Sequence, residues 1–122
     1  MSFSIKEVSE KLGIPPHTIR FYEKEGLLPA IRRDPNGNRL FEHKDLDWME
    51  IMLRLRATGM SVAVIKQMVA LAAKGDSTIP ERKAILERHK LELQRKQEEL
   101  DKAKEALNKK LAIYESFLSV RS

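Results

Sequence analysis

The sequence predicts an all-α fold with one small β-hairpin, in which a compact helical domain precedes a single long helix. Three observations lead to this prediction. Short amphipathic segments with capping residues fill residues 1–75, and the turn Asp34-Pro35-Asn36-Gly37 separates two short arginine-containing segments. From residue 81 to residue 122 neither Gly nor Pro interrupts the chain. We therefore expect two domains, residues 1–75 and residues 76–122.

Composition narrows the class of protein. The chain has 122 residues, with 23 basic and 18 acidic side chains and a net charge of +5, a balance that suits a nucleic-acid binder without demonstrating one. It has no cysteine, which excludes disulfides, thiolate metal sites and a cysteine nucleophile. No signal peptide is visible, and no apolar run approaches the ~20 residues of a membrane span. We expect a cytoplasmic protein.

The first two helices are marked by their capping residues. Ser4 and Glu7 form a capping box, and Gly13 ends the helix that follows. A second short helix has Pro16 in its first turn and Gly26 just past its end. With Ile19 and Leu27 facing inward, the side chains expected to point outward are those of His17, Thr18, Arg20 and Tyr22.

Two short helices joined by a tight turn predict a helix-turn-helix, with the second helix in the position that reads DNA. Arg, Thr and Tyr are residues that contact base edges and phosphates. The alternative is a helical hairpin with no role in DNA binding.

Residues 31–41 predict a two-stranded hairpin, or wing, beside these helices. Pro35 and Gly37 fit a type I turn followed by a residue of positive φ. The wing carries Arg32, Arg33 and Arg39, which we expect to contact backbone phosphates. The alternative is a solvated loop.

Two further helices complete the first domain. One runs from Lys44 to Thr58, with Trp48 in the core or under a partner, and Ser61 caps the other. Lys66 lies outside the apolar stripe of this fourth helix. It either meets a second phosphate or is solvated.

The last helix begins at a second capping box, Thr78 with Glu81, and runs to about Leu118. At 1.5 Å per residue it spans ~60 Å. Apolar residues recur every seven positions, which predicts a two-stranded coiled coil, most simply with a second copy of the chain. The residues expected in this interface are Ile79, Leu86, Leu93, Leu100, Leu107, Leu111, Tyr114 and Leu118.

Taken together, these blocks resemble the MerR family of bacterial transcriptional regulators over nearly the whole chain. The matching blocks, in order, are Thr18-Ile19-Arg20-Phe21-Tyr22-Glu23, Gly26-Leu27-Leu28, Asn36-Gly37-Asn38-Arg39-Leu40-Phe41, Leu53-Arg54, Gly59-Met60-Ser61 and Ile65-Lys66. The resemblance implies a winged helix-turn-helix domain and an antiparallel coiled-coil homodimer. It further implies binding to a pseudo-palindromic promoter with an over-long spacer, whose distortion lets RNA polymerase transcribe.

Residue roles follow from the resemblance by position. Arg20 would read bases and backbone, and Tyr22 would contact a phosphate. Arg39 would contact phosphate from the wing and Lys66 from a second wing, with His17 and Thr18 as first-turn contacts. Phe41 stands where family members often have tyrosine, and it joins the expected DNA-contacting residues without a phenol hydrogen bond.

The sequence argues against an enzyme and leaves two rival functions open. An enzyme is not expected, because His17, His43 and His89 lie on different elements and no phosphate-binding glycine loop occurs. No cofactor is expected, and a small-molecule signal, if one exists, is not bound by thiolates. It would enter near Tyr114, Phe117 and Leu118, residues that equally suit plain interface packing. The rival functions are a coiled-coil adaptor for other proteins and a repressor that simply dissociates from DNA.

Overall fold

The computed structural model describes residues 1–121, and they form five α-helices, one hairpin and one short 3₁₀ helix. In chain order the elements are α1 (Ile5–Leu12), α2 (Pro16–Lys24), β1 (Arg32–Arg33), β2 (Arg39–Leu40), α3 (His43–Ala57), α4 (Val62–Ala73), the 3₁₀ helix (Asp76–Thr78) and α5 (Ile79–Arg121). The chain divides into two compact units, Met1–Lys83 and a second that begins at Ala84. The predicted helical fold with one hairpin and a long last helix is confirmed.

Helix α1 begins and ends where its capping residues predict. The Ser4 hydroxyl accepts from the Glu7 backbone N–H at 3.1 Å, and the Ser4 N–H donates to Glu7 Oε1 at 3.0 Å. The hydrogen bond from the Ser4 N–H is the larger cause that holds the pKa of Glu7 below its ordinary value, and the Ser4 side chain is the second. Gly13 closes the helix in the left-handed conformation, with φ of 69°.

Helix α2 is nine residues long and has firm boundaries at both ends. Pro16 occupies the first turn, where its missing N–H has no intrahelical partner. At the other end the Leu27 N–H donates to the Tyr22 carbonyl at 2.9 Å, and the Gly26 N–H donates to the Glu23 carbonyl at 3.2 Å. These two bonds form a Schellman motif, which requires the positive φ of 80° that Gly26 adopts.

The hairpin pairs Arg32 with Leu40 and Arg33 with Arg39. It is anchored to the start of the chain, because Phe3 and Phe41 form an isolated bridge with N–H···O distances of 2.7 and 2.9 Å. The Phe41 side chain is fully buried. Its burial fixes the end of the wing to the core.

Helices α1 to α4 enclose the core of the first unit. Trp48 is half-buried and donates its indole N–H to the Leu27 carbonyl at 2.8 Å, which confirms a packing role within this unit. The buried apolar side chains of this unit are Phe3, Val8, Ile19, Leu27, Leu28, Phe41, Leu46, Met49, Met52, Leu55, Met60, Ile65, Met68 and Leu71. On α4 the buried side chains are those of Ile65, Met68 and Leu71.

Thr78 has a different role from the predicted helix cap. Its buried hydroxyl lies 2.6 Å from the Leu71 carbonyl and accepts from Arg82 Nε at 3.0 Å. Arg82 also donates to the Gly75 carbonyl at 3.0 Å. The predicted capping box is therefore wrong, because the hydroxyl fastens the end of α4 to the first turn of α5.

Helix α5 is 43 residues long, ~65 Å at 1.5 Å per residue. Leu93 is half-buried, whereas the other seven residues of the predicted interface are exposed, Leu100 by 59% and Leu118 by 68%. An apolar row of this length is unfavourable in water. Across residues 1–121, no helix has both the length and the apolar character needed to cross a membrane.

The Thr78 hydroxyl gives the first testable prediction. Thr78→Val keeps the shape of the side chain but removes an acceptor from Arg82 and a donor from the Leu71 carbonyl. We expect the free energy of unfolding to fall by about 1–3 kcal/mol, because these groups lie in or near the core. Urea denaturation at one fixed protein concentration measures the change.

Thr58→Val is the matched control. The Thr58 hydroxyl is shared between the Arg54 carbonyl at 2.9 Å and the Leu55 carbonyl at 3.2 Å, and the residue is exposed at the end of α3, where water can replace it. Its loss should change the stability by less than about 0.5 kcal/mol. Equal losses for the two variants would contradict the role assigned to Thr78.

Candidate DNA-binding surface

Burial of Ile19 fixes which face of α2 points to solvent. Its side chain is fully buried. Each residue of a helix is rotated by about 100° from the one before it, so His17, Arg20, Phe21 and Lys24 lie on the side opposite Ile19. All four are exposed. Thr18 and Tyr22, both predicted to point outward, are half-buried at the edge of this face. The four exposed residues are called the outer face of α2 below.

Arg20 is the most versatile donor on the outer face. It is exposed, and within residues 1–121 its guanidinium has no hydrogen bond or ion pair. A guanidinium in this state has all five N–H donors available for a base edge or a phosphate. The structure therefore places Arg20 where the sequence predicts a DNA-reading residue.

Glu23 joins the hairpin to α2. Its Oε1 accepts from Arg39 Nε at 2.8 Å and from Arg33 Nη2 at 3.3 Å. The side chains of Glu23 and Arg39 are only 23% and 19% exposed, so this charge-assisted bond is partly shielded from water. One carboxylate thus sets the position of the wing relative to α2. We call this group of three side chains the Glu23 clamp.

The tip of the wing is ordered by Asp34. Its Oδ1 accepts from the backbone N–H groups of Asn36 at 2.9 Å and Asn38 at 2.8 Å. The Gly37 N–H donates to the Asp34 carbonyl at 2.9 Å, as a type I turn requires. Arg33 also donates to the Gly37 carbonyl at 2.9 Å, so the predicted turn is confirmed and one arginine spans it.

Arg32 is the most exposed wing arginine, and it is paired with Glu42. Its Nη1 lies 3.2 Å from Glu42 Oε1. That hydrogen bond, with the charge of Lys44, lowers the pKa of Glu42. A lowered pKa means that the pair stabilises the fold above the ordinary value of 4.5 and loses this effect as the pH falls through the lowered value.

Lys66 lies in the first turns of α4 and reaches back toward α2. Its Nζ is 3.8 Å from Glu25 Oε2, and both side chains are nearly half exposed. A pair of this geometry is weak in water. Lys66 can therefore exchange the carboxylate for a phosphate at little cost.

The structure corrects the sequence prediction at Phe41. Its side chain is 0% exposed and sits at the bridge to Phe3, so the ring has no surface to offer DNA. Phe41 is a core residue that anchors the wing. The other eight residues predicted to contact DNA retain at least partial exposure.

Sequence reasoning missed three residues of this surface. Phe21, which is not among the residues expected to point outward, is 56% exposed in the middle of the outer face. Glu23 and Glu42 hold the wing arginines. Their only signal in the sequence is an acidic residue within or beside a basic segment. Residues 1–121 hold no cluster of three or more His, Cys, Asp or Glu side chains suited to a metal.

Comparison with protein-family models places this surface in a known class of domain. Residues 3–71 match the model described as MerR HTH family regulatory protein, and residues 46–110 match the model described as MerR, DNA binding. The first match contains α1 to α3, the wing and all but the last two residues of α4, which are the elements that build the surface described above.

Individual proteins agree with the family match. An uncharacterised HTH-type transcriptional regulator of Haemophilus influenzae is 40% identical over 115 residues, covering 94% of this chain and 85% of its own length. The regulator AdhR of Bacillus subtilis is 33% identical over 90 residues, covering 72% of this chain and 64% of its own.

Solved structures agree as well. HiNmlR, described as a MerR family regulator lacking the sensor domain and bound to promoter DNA, is 38% identical and superposes with a TM-score of 0.86, covering 100% of this chain and 97% of its own. A MerR-family protein of Listeria monocytogenes is 34% identical with a TM-score of 0.86, covering 93% and 86%.

The Glu23 clamp gives the second testable prediction. Glu23→Gln removes a negative charge from a basic surface, which by charge alone would strengthen binding to duplex DNA. We expect the opposite, a loss of roughly fivefold, or about 1 kcal/mol, because the neutral amide oxygen of Gln would hold Arg33 and Arg39 less strongly than the carboxylate that positions the wing. Fluorescence anisotropy of a labelled duplex at constant salt measures it.

Glu25→Gln, at the C-terminal cap of the same helix, is the matched control. It also removes one negative charge, but the weak pair with Lys66 positions no other element. Its affinity for DNA should be unchanged or higher. If both variants bind more tightly by the same factor, Glu23 acts only through its charge and does not position the wing.

Proposed function

Because the chain belongs to the MerR family of transcriptional regulators, we propose that it binds a pseudo-palindromic promoter as a homodimer and controls transcription by distorting the spacer DNA. The observation that carries this proposal is the outer face of α2, with a basic wing held beside it by Glu23. A helix presented in this way fits the major groove, while the wing follows the phosphate backbone. Promoter DNA in bacteria lies in the cytoplasm, where this function places the protein.

Contacts from α2 follow from its exposed groups. Arg20 reads a base edge, since its guanidinium can donate two parallel bonds to guanine. Thr18 and Tyr22 lie at the edge of the outer face, so their hydroxyls suit phosphate oxygens better than bases. His17, in the first turn, is a further contact near the start of the helix.

Contacts from the wing and α4 are electrostatic. Arg32 is exposed and contacts a phosphate directly by exchanging Glu42 for a phosphate oxygen. Arg33 is also exposed, and it keeps its bond to Glu23 while its remaining N–H donors contact a phosphate. Arg39 is more shielded and bonded to Glu23, so its main role is to position the wing. Lys66 contacts a phosphate on the other side of α2. Residues 1–75 would then serve DNA binding and residues 76–122 dimerisation, although the structural division lies between Lys83 and Ala84.

Dimerisation is proposed from the exposed apolar row of α5. Seven of its eight residues lie at the surface of the chain, and two such helices side by side would remove them from water. An antiparallel pair would also hold two recognition helices at a fixed separation, which is what two half-sites on one face of a duplex require.

RNA polymerase is the proposed partner at the promoter. When the spacer is too long, the two DNA elements that RNA polymerase recognises lie on mismatched faces of the duplex. Bending and untwisting the central base pairs would realign them, at a cost of order 1–6 kcal/mol that wing contacts offset. A small-molecule signal can drive this only by binding the distorting state more tightly. Without cysteine in the sequence, such a signal is not held by thiolates.

The dimer interface gives the third testable prediction. Leu100→Glu would place a charge in the proposed interface near the middle of α5, and we expect a dimer that dissociates at micromolar concentration. Sedimentation equilibrium measures the mass, and circular dichroism shows that the helices persist.

Leu91→Glu is the control. Leu91 is 57% exposed, almost as much as Leu100, but it does not belong to the apolar row of α5. This variant should remain dimeric. A Leu100→Glu protein that sediments as the wild-type dimer would show that the row is not the interface.

Promoter distortion gives the fourth testable prediction. The protein should occupy its promoter both before and after activation, with a change in DNA shape exceeding the change in occupancy. Footprinting with a reagent that cleaves at unstacked bases should then show hypersensitive positions at the centre of the site. Loss of the whole footprint on activation, with no central hypersensitivity in either state, would identify a repressor that simply dissociates.

A further inference from the structure

Phe21 is an apolar side chain in the middle of a polar surface. It is 56% exposed, and the other residues of the outer face are His17, Arg20 and Lys24. At about 200° from Ile19 around the helix, the ring points almost directly away from the core. Packing within the chain therefore does not account for a phenylalanine at this position.

The ring has an aromatic neighbour on one side. Tyr22, half-buried next to it, lies with a ring-centroid separation of 6.3 Å and an interplanar angle of 56°. This tilted arrangement is favourable for two aromatic rings and limits the rotation of Phe21 on one side. The outer face thus presents an apolar group at a defined position, with Arg20 one residue before it.

The major groove offers one apolar group on its base edges, the C5-methyl of thymine. Arginine and lysine satisfy the acceptors of guanine, and a phenylalanine has no hydrogen bond to give. A ring that packs against the methyl releases water from both surfaces. Of the four bases, thymine therefore matches the chemistry of this position best.

We propose that Phe21 is a specificity-determining residue that reads a thymine methyl in each half-site, beside the base contacted by Arg20. This inference rests on the proposed function, since it requires α2 to enter the major groove. It adds a hydrophobic contact to a set of otherwise polar and charged contacts. It also requires thymine at one fixed position of each half-site.

The test uses duplexes that the full-length protein selects from a randomised library. A selected duplex is resynthesised with deoxyuridine in place of one thymidine at a time, which removes only the methyl group. Wild-type protein should lose roughly fourfold in affinity at one position of each half-site, as expected for one buried methyl. Substitution at the other thymidines should have little effect.

Phe21→Ala should bind the thymidine and deoxyuridine duplexes equally. Lys24→Ala is the matched control, an exposed residue of the same face, and should weaken binding to both duplexes by the same factor while keeping the discrimination. Both side chains lie at the surface, and thermal melting by circular dichroism verifies that the variants remain folded.

The outcomes separate this inference from the proposed function. Failure to select any duplex would overturn both. Tight, salt-dependent binding without discrimination at any thymidine would overturn the role of Phe21 alone. Discrimination that persists in Phe21→Ala would do the same, because another residue would then read the methyl.

Discussion

The burial of Ile19 is the constraint on which the DNA-binding surface depends. Helix α2 has nine residues, too few to be stable alone in water, so tertiary packing must hold it. Ile19 in the core, with Leu27 buried just after the helix, fixes its rotation about its own axis. The polar and aromatic residues at the complementary positions are then exposed without any further requirement.

Two acidic residues at the C-terminal end of α2, Glu23 in the helix and Glu25 at its cap, show how the surface balances charge and geometry. A carboxylate among arginines lowers the attraction to phosphate, yet Glu23 carries two bonds that fix the wing. Within residues 1–121, the Glu25 side chain makes only the long pair with Lys66. The same residue type, two positions apart, therefore positions an element in one case and holds a cation loosely in the other.

In the long helix α5, in contrast to α2, the apolar residues are not buried within the chain. Helix α5 is long and regular, but most of its apolar row is exposed in the single chain. Ile19 buries its side chain in the core of its own domain, whereas most residues of this row have no such core to pack into. A second copy would complete the burial, and this is why the proposed function is that of a dimer.

Much of the fold could be predicted from the sequence, because local chemistry decides it. Ser4, Pro16 and Gly26 mark helix boundaries through hydrogen bonds and backbone angles that involve only nearby residues. The wing turn at Asp34 is equally local. The family could also be recognised from the sequence, because its blocks occur in order along the chain.

Tertiary structure decided the rest, since it depends on residues far apart in sequence. The sequence predicts that Phe41 contacts DNA, but its bridge to Phe3 and its complete burial place it in the core. Glu23 became a positioning residue only when the fold brought Arg39 to it. The orientation of Phe21 follows from the burial of Ile19 rather than from its own identity. Which face a short helix buries is set by the packing of the whole domain, and a local pattern does not contain that information.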